Sequence, residues 1–109
     1  MTTLILLMAG FATSLVAQVK YEDILKGPGD NWLTYAGDYH GKRHSPLTQI
    51  TAANAGSMVA KWTYHMPKAN GLRTNPLVYD GVMYVTNANE VRALDARTGK
   101  RLWHFQLVH

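Results

Sequence analysis

The chain of 109 residues has no cysteine. That excludes a disulfide framework, a thiolate zinc site, a cysteine nucleophile and the acylated cysteine of a bacterial lipoprotein. Charge is sparse, with 17% Asp, Glu, Lys and Arg against 47% hydrophobic residues. This balance suits a globular chain rather than a disordered tail, and the length allows one small domain at most. Long basic runs are missing as well. The net charge is +4, but the nearest groupings are Lys42-Arg43 and Arg97 with Lys100-Arg101. They are too scattered to track a phosphate backbone, so no nucleic-acid partner is expected.

Catalytic signatures are equally scarce. The glycines form neither G-x-G-x-x-G nor a P-loop, and Ser14, Ser45 and Ser57 have no nucleophile-elbow context. His40 and His44 stand four apart, a metal spacing on a helix, yet Gly41 and Ser45-Pro46 argue against a helix there. They read as loop histidines near solvent. The seven carboxylates are spread along the chain, and the neighbours Glu22 and Asp23 would face different ways on a helix. No catalytic residue and no metal ligand is therefore assigned.

What is present begins with an uncharged stretch. Residues 1–19 carry no charged side chain, and Leu4 to Ala12 is apolar before the small and polar Thr13-Ser14. Leu15-Val16-Ala17 offers a cleavage site, so 1–17 reads as a helical signal segment, although its start lacks Lys or Arg. The apolar part is about half of the roughly 20 residues that a bilayer needs. Export follows whether it is cleaved or kept as an anchor, and a membrane would be met only through an uncleaved segment.

Residues 18–59 form a loop-rich strap. Tyr21 to Leu25 suits a short helix stopped by Gly27-Pro28-Gly29. From Asn31 to Leu47 aromatics mix with turn residues without a period of 2 or 3.6, so Trp32, Tyr35 and Tyr39 need a preformed surface to lie on. Thr51 can cap a brief helical turn over Ala52 to Gly56.

From Ala60 the pattern becomes short strands. Ala60 to Met66 alternates and is rich in β-formers. Asn75 to Tyr79, Asp80-Gly81 and Val82 to Thr86 predict a hairpin, because Asp-Gly accepts positive φ at both corners of a two-residue turn. Val91 to Leu94 and Arg101 to Phe105 add two strands around a turn at Asp95 to Lys100. Four consecutive strands with short links make an up-and-down antiparallel sheet, with Tyr84, Trp103 and Phe105 read as core. Trp62 and Trp103 stand 41 residues apart, inside the blade period of about 40 to 45 residues found in propellers. Counting eleven back from Trp103 gives Ala93, Asp95, Thr98 and Gly99. The same count from Trp62 gives Ala52, Asn54 and Ser57, with Met58 in place of glycine, a candidate decayed copy.

The run Ala93 to Trp103 spells A-x-D-x-x-T-G-x-x-x-W. Ala leaves room for an indole, Asp and Thr satisfy turn donors, Gly takes the left-handed corner, and Trp fills a gap between sheets. This resembles the tryptophan-docking motif of pyrroloquinoline quinone (PQQ) dehydrogenases. Asn31 to Tyr35, Gly37 to Tyr39, Arg43, Ser45 to Leu47, Gln49-Ile50, Pro76 to Val78 and Asp80 to Tyr84 agree in order and spacing with the N-terminal section of exported quinoprotein alcohol dehydrogenases.

The resemblance implies an all-β fold, the N-terminal fragment of an eight-bladed propeller: one four-stranded blade plus a ring-closing strand, both within 60–109. It implies an exported, periplasmic dehydrogenase that oxidises alcohols or sugars with PQQ and calcium and passes electrons to an acceptor. Its partners would be the remaining blades. The catalytic and calcium-binding segments of the family lie outside the matched region, so this chain alone is expected neither to hold the cofactors nor to turn over substrate. A cofactor contact that is Glu in the family falls at Arg73, which could instead salt-bridge a PQQ carboxylate or be a solvated or interblade residue. His44 stands where the family usually shows Tyr. The alternatives are a non-catalytic propeller scaffold of the cell envelope, against which the Asn31 to Ile50 fingerprint weighs, and a truncated remnant.

Overall fold

A computed structural model describes residues 19–67, 71 and 73–108. The expected signal segment, 1–17, lies outside the described residues. Among those described, no helix is long and apolar enough to cross a membrane.

One helix, α1 (Tyr21–Lys26), opens the described chain. Asp23 reaches back to accept the backbone N–H of Lys20 at 3.0 Å, and Glu22, Asp23 and Lys26 each sit at the end of the helix dipole that suits their charge. Gly27 ends the helix at φ 79°. The second helical turn is a 3-10 turn at Ala55–Ser57, beginning later than the Thr51 cap predicts. Asn54 explains the shift. Its side-chain oxygen accepts the Thr51 N–H at 2.7 Å and its amide donates to the Gln49 carbonyl at 2.9 Å, so it bonds backward along the chain.

The expected sheet is present with four antiparallel strands in chain order: β1 (Leu77–Tyr79), β2 (Val82–Asn87), β3 (Glu90–Asp95) and β4 (Arg101–Gln106). Asp80 and Gly81 turn the first hairpin at φ 47° and 73°, both left-handed as the Asp-Gly pair predicts. Ala88 and Asn89 turn the second, Asn89 at φ 60°. Between β3 and β4 the register shifts after Ala93, which faces Trp103, while Leu94 faces Arg101. Leu102 is thus the extra residue of a bulge.

The alternation of β3 sends Glu90, Arg92 and Leu94 to one face, and Val91, Ala93 and Asp95 to the other. On the second face Tyr84, Ala93 and Trp103 lie opposite one another across three strands. Ala93 is wholly buried, and its methyl group leaves space above it for the rings of Tyr84 and Trp103, whose centroids are 6.1 Å apart. Reading Trp103 and Phe105 as core needs correction, because they are 47% and 59% exposed. A single sheet covers such side chains only from below. Burial needs a second layer on this face.

The strap docks beside β1. Trp32 pairs with Val78 through two backbone hydrogen bonds of 2.8 and 2.9 Å, and Asn31 accepts the Asp80 N–H at 3.0 Å. Asn75 donates to the Tyr35 carbonyl at 3.1 Å. The first hairpin thus anchors the strap through backbone and asparagine hydrogen bonds, whereas Tyr35 and Tyr39, expected to lie on a surface, are 59% and 63% exposed.

Ala60 to Met66 forms no ladder, in contrast to the expected strand. A strand exists only through pairing, and this segment joins neither edge of the β1 to β4 sheet. The segment instead reaches the blade through side chains. Trp62 donates its indole N–H to the Ala96 carbonyl at 3.2 Å and lies over Gly99, where a methyl group would come within 2.5 Å of Trp62 Cε3. Gly99 is also at φ 71°. Gly99→Ala adds that clash to the strain of a positive φ, and should cost about 1–3 kcal/mol. Urea denaturation of the variant, followed by tryptophan fluorescence, measures the loss.

Candidate functional site

The turn from Asp95 to Gly99 is built by one carboxylate. Asp95 Oδ1 accepts the backbone N–H groups of Arg97 and Thr98 at 3.0 and 2.8 Å and the Thr98 hydroxyl at 2.9 Å. The Thr98 hydroxyl oxygen in turn accepts the Lys100 N–H at 3.3 Å. Gly99 N–H closes back to the Asp95 carbonyl, and Asp95 N–H to the Lys100 carbonyl, each at 2.8 Å. The Thr98 hydroxyl and the two amides hold the Asp95 carboxyl below its ordinary value of 3.8. Ala93, Asp95, Thr98 and Gly99 thus come together in one rigid corner, with Trp103 just beyond it. The proposed older copy does not build this corner, since Asn54 bonds backward to Gln49 and Thr51.

A second cluster was not singled out by the sequence reading. Glu90 and Arg92, 9% and 5% exposed, form an ion pair of 2.8 Å on the same face of β3. Arg92 also donates to the Tyr64 hydroxyl at 2.9 Å, its guanidinium 6.0 Å from that ring. Glu90 accepts from Asn87 at 3.3 Å, and His104 Nε2 lies 3.1 Å from its other oxygen. The signal was available in the i, i+2 spacing of Glu90 and Arg92, which puts opposite charges side by side on one strand face. The hydrogen bond from Arg92, opposed by burial, holds the Glu90 carboxyl below 4.5, and Glu90 raises the Arg92 pKa further.

Arg73 lies outside both clusters. It is exposed and lines a cleft of about 610 Å³ together with Thr74, Asn87, Glu90, Arg92 and Gln106. His40 and His44 are exposed loop residues, as expected. Among the described residues, no group of three or more His, Cys, Asp or Glu could hold a metal ion.

Four antiparallel strands in chain order have the form of one propeller blade, and Trp62 from the preceding segment lies over its Gly99 corner. Residues 32–109 match the family model of the glucose/ethanol/alcohol dehydrogenase β-propeller domain, named for PQQ. The chain belongs to this family. It is 46% identical over 78 residues to the 1-butanol dehydrogenase (cytochrome c) of Thauera butanivorans, covering 71% of this chain and 11% of that protein. It is 36% identical over 106 residues to a quinohemoprotein alcohol dehydrogenase of Pseudomonas putida, covering 92% of this chain and 15% of the relative. The crystal structure of the quinohemoprotein alcohol dehydrogenase from Comamonas testosteroni superposes with a TM-score of 0.65 at 39% identity, over 70% of this chain and 12% of that one. The chain spans roughly a tenth of the length of such relatives.

Because the Glu90 and Asp95 carboxyls are depressed on folding, their stabilisation is complete above the ordinary values of 4.5 and 3.8 and is lost as the pH falls through the folded values. Glu90→Gln should therefore melt below the parent at about pH 7, and the gap should narrow towards about pH 3. Urea melts of both proteins at the two pH values check this. A gap that does not change with pH would mean that the ionised carboxylate is not its source.

Proposed function

We propose that this chain is the N-terminal section of an exported PQQ-dependent dehydrogenase that oxidises alcohols or sugars. In this reading 1–17 is the secretion signal, 18–59 the strap, and 60–109 the ring-closing segment and first blade of an eight-bladed periplasmic propeller. The observation that carries it is the seating of Trp62 on the Gly99 corner. One blade's corner receives the indole of the unit before it. The indole of this blade, Trp103, stands half exposed on the opposite face, with Phe105 beside it. A repeat with one face covered from within the chain and the other open is what a ring of blades requires.

Ala60 to Met66 then supplies a strand to the last blade of the ring. Its lack of a ladder among the described residues fits that role, since its backbone groups are left for another blade. Trp62 and Tyr64 fix it to the first blade from the other side.

The fit to PQQ is tested by the cleft at Arg73. Arg73, Gln106 and the paired Glu90 and Arg92 line it with Thr74 and Asn87; Thr74 donates to the Thr86 carbonyl and Asn87 to Glu90, so Arg73 is the charged group that suits a carboxylate. Arg73 replaces the family Glu as the cofactor contact, and PQQ would supply the oxidising centre when bound. Calcium ligands and the catalytic base are assigned to other parts of the longer protein, as are the substrate pocket and the route to an electron acceptor.

Two measurements test the reading. The DNA downstream of His109 should continue in frame with further docking motifs. In the complete enzyme, deletion of Ala60 to Met66 should lower the melting temperature sharply. An unchanged melting temperature refutes ring closure by this segment.

A further inference from the structure

The ladder between β3 and β4 runs one residue past the strand. Leu107 donates its backbone N–H to the Asn89 carbonyl at 2.8 Å, in the same register as Glu90 with Gln106 and Val91 with Phe105. Bonded pairs alternate along an antiparallel ladder, so Leu107, Phe105 and Trp103 turn their backbone groups to β3, whereas His104 and Gln106 turn theirs outward. Among the described residues nothing pairs with that outer side. Side chains sort in the same alternation. Trp103, Phe105 and Leu107, 47%, 59% and 52% exposed, lie on one face, and His104 and Gln106 on the other.

We infer that two copies of this chain pair through the outer edge of β4, antiparallel and about a two-fold axis at Phe105, into one continuous sheet. With the axis there, His104 and Gln106 of each copy exchange backbone hydrogen bonds with Gln106 and His104 of the other. Phe105 meets its own counterpart and Trp103 lies opposite Leu107. Apolar residues thus oppose apolar ones on one face, while an imidazole opposes an amide on the other. The stretch from Trp103 to Leu107 has no Lys, Arg, Asp or Glu, so no fixed like charges meet across the axis. An axis at His104 fits less well, because it draws the bulge residue Leu102 into the ladder and sets two imidazoles against each other. The assembly closes at two copies. Trp32 takes up the backbone of Val78 on the outer side of β1, which leaves β4 as the open edge. The inference does not rest on the dehydrogenase reading, since blades of a ring stack through their faces and this contact runs along an edge.

Sedimentation of the full chain at rising concentration should show twice the monomer mass and nothing larger. The chain has no cysteine, so a single introduced thiol reports the register. Phe105→Cys brings the two Cα atoms to about 4.5 Å across the axis, within the disulfide range, and mild oxidation should link the copies. Arg101→Cys sets its two thiols roughly 26 Å apart along the paired strands and should not link them. Gln106→Pro removes an outward N–H while keeping every bond to β3, and should weaken the dimer by about tenfold or more. Phe105→Lys opposes two like charges at the axis without altering the backbone and should weaken it as well. If Gln106→Pro does not fold, Phe105→Lys decides. A monomer at every concentration overturns the inference. So do larger assemblies, a dimer that the folded variants leave unchanged, or linkage through Arg101→Cys as ready as through Phe105→Cys.

Discussion

The structure depends on one close approach, the Trp62 indole over the backbone of Gly99. Only a residue without Cβ permits it, and only a left-handed corner presents the peptide in that way. The indole N–H then reaches the Ala96 carbonyl, and Ala96 N–H in turn donates to the Gly81 carbonyl at 2.9 Å. One aromatic ring is thereby coupled to both turns at one end of the sheet. Placed there, the segment that carries it can bring Tyr64 to Arg92, and the Glu90 ion pair gains a cover.

The parts of the fold that could be read beforehand are those in which one residue type solves one backbone problem. Asp80-Gly81 announced the hairpin because few pairs tolerate positive φ twice, and Asp95 with Thr98 and Gly99 announced the corner because their donors and acceptors complete one another. Helix α1 was legible from its glycine stop. Ala60 to Met66 was not. Alternation states that alternate side chains share an environment, but it does not say whether the backbone finds a ladder. Here Trp62 and Tyr64 share a side because both grip the blade.

The charged cluster escaped notice for a related reason. Glu90 and Arg92 are ordinary surface residues by type, and part of their cover comes from Tyr64, 28 residues before Arg92. Their i, i+2 spacing places them on one strand face, but burial by a distant piece of chain is not written in that local pattern. Trp103 and Phe105 show the converse, since residues whose type predicts a core lie open when the layer that would cover them is not among the described residues. Arg73 was singled out by its departure from a family pattern, whereas the donors that surround it emerged only from the arrangement of the strands.

The two outer strands of the sheet are finished differently. β1 is closed off by Trp32, whose two backbone hydrogen bonds take up Val78. β4 has no such neighbour among the described residues, and all six of its residues are exposed. Its outward amides and carbonyls form an edge that could template the addition of a further strand, and Leu102, Trp103 and Phe105 would give that addition an apolar lining. Arg101 and His104 are the polar interruptions along it. An edge of this kind, left uncovered, is open to pairing with the same strand of another copy.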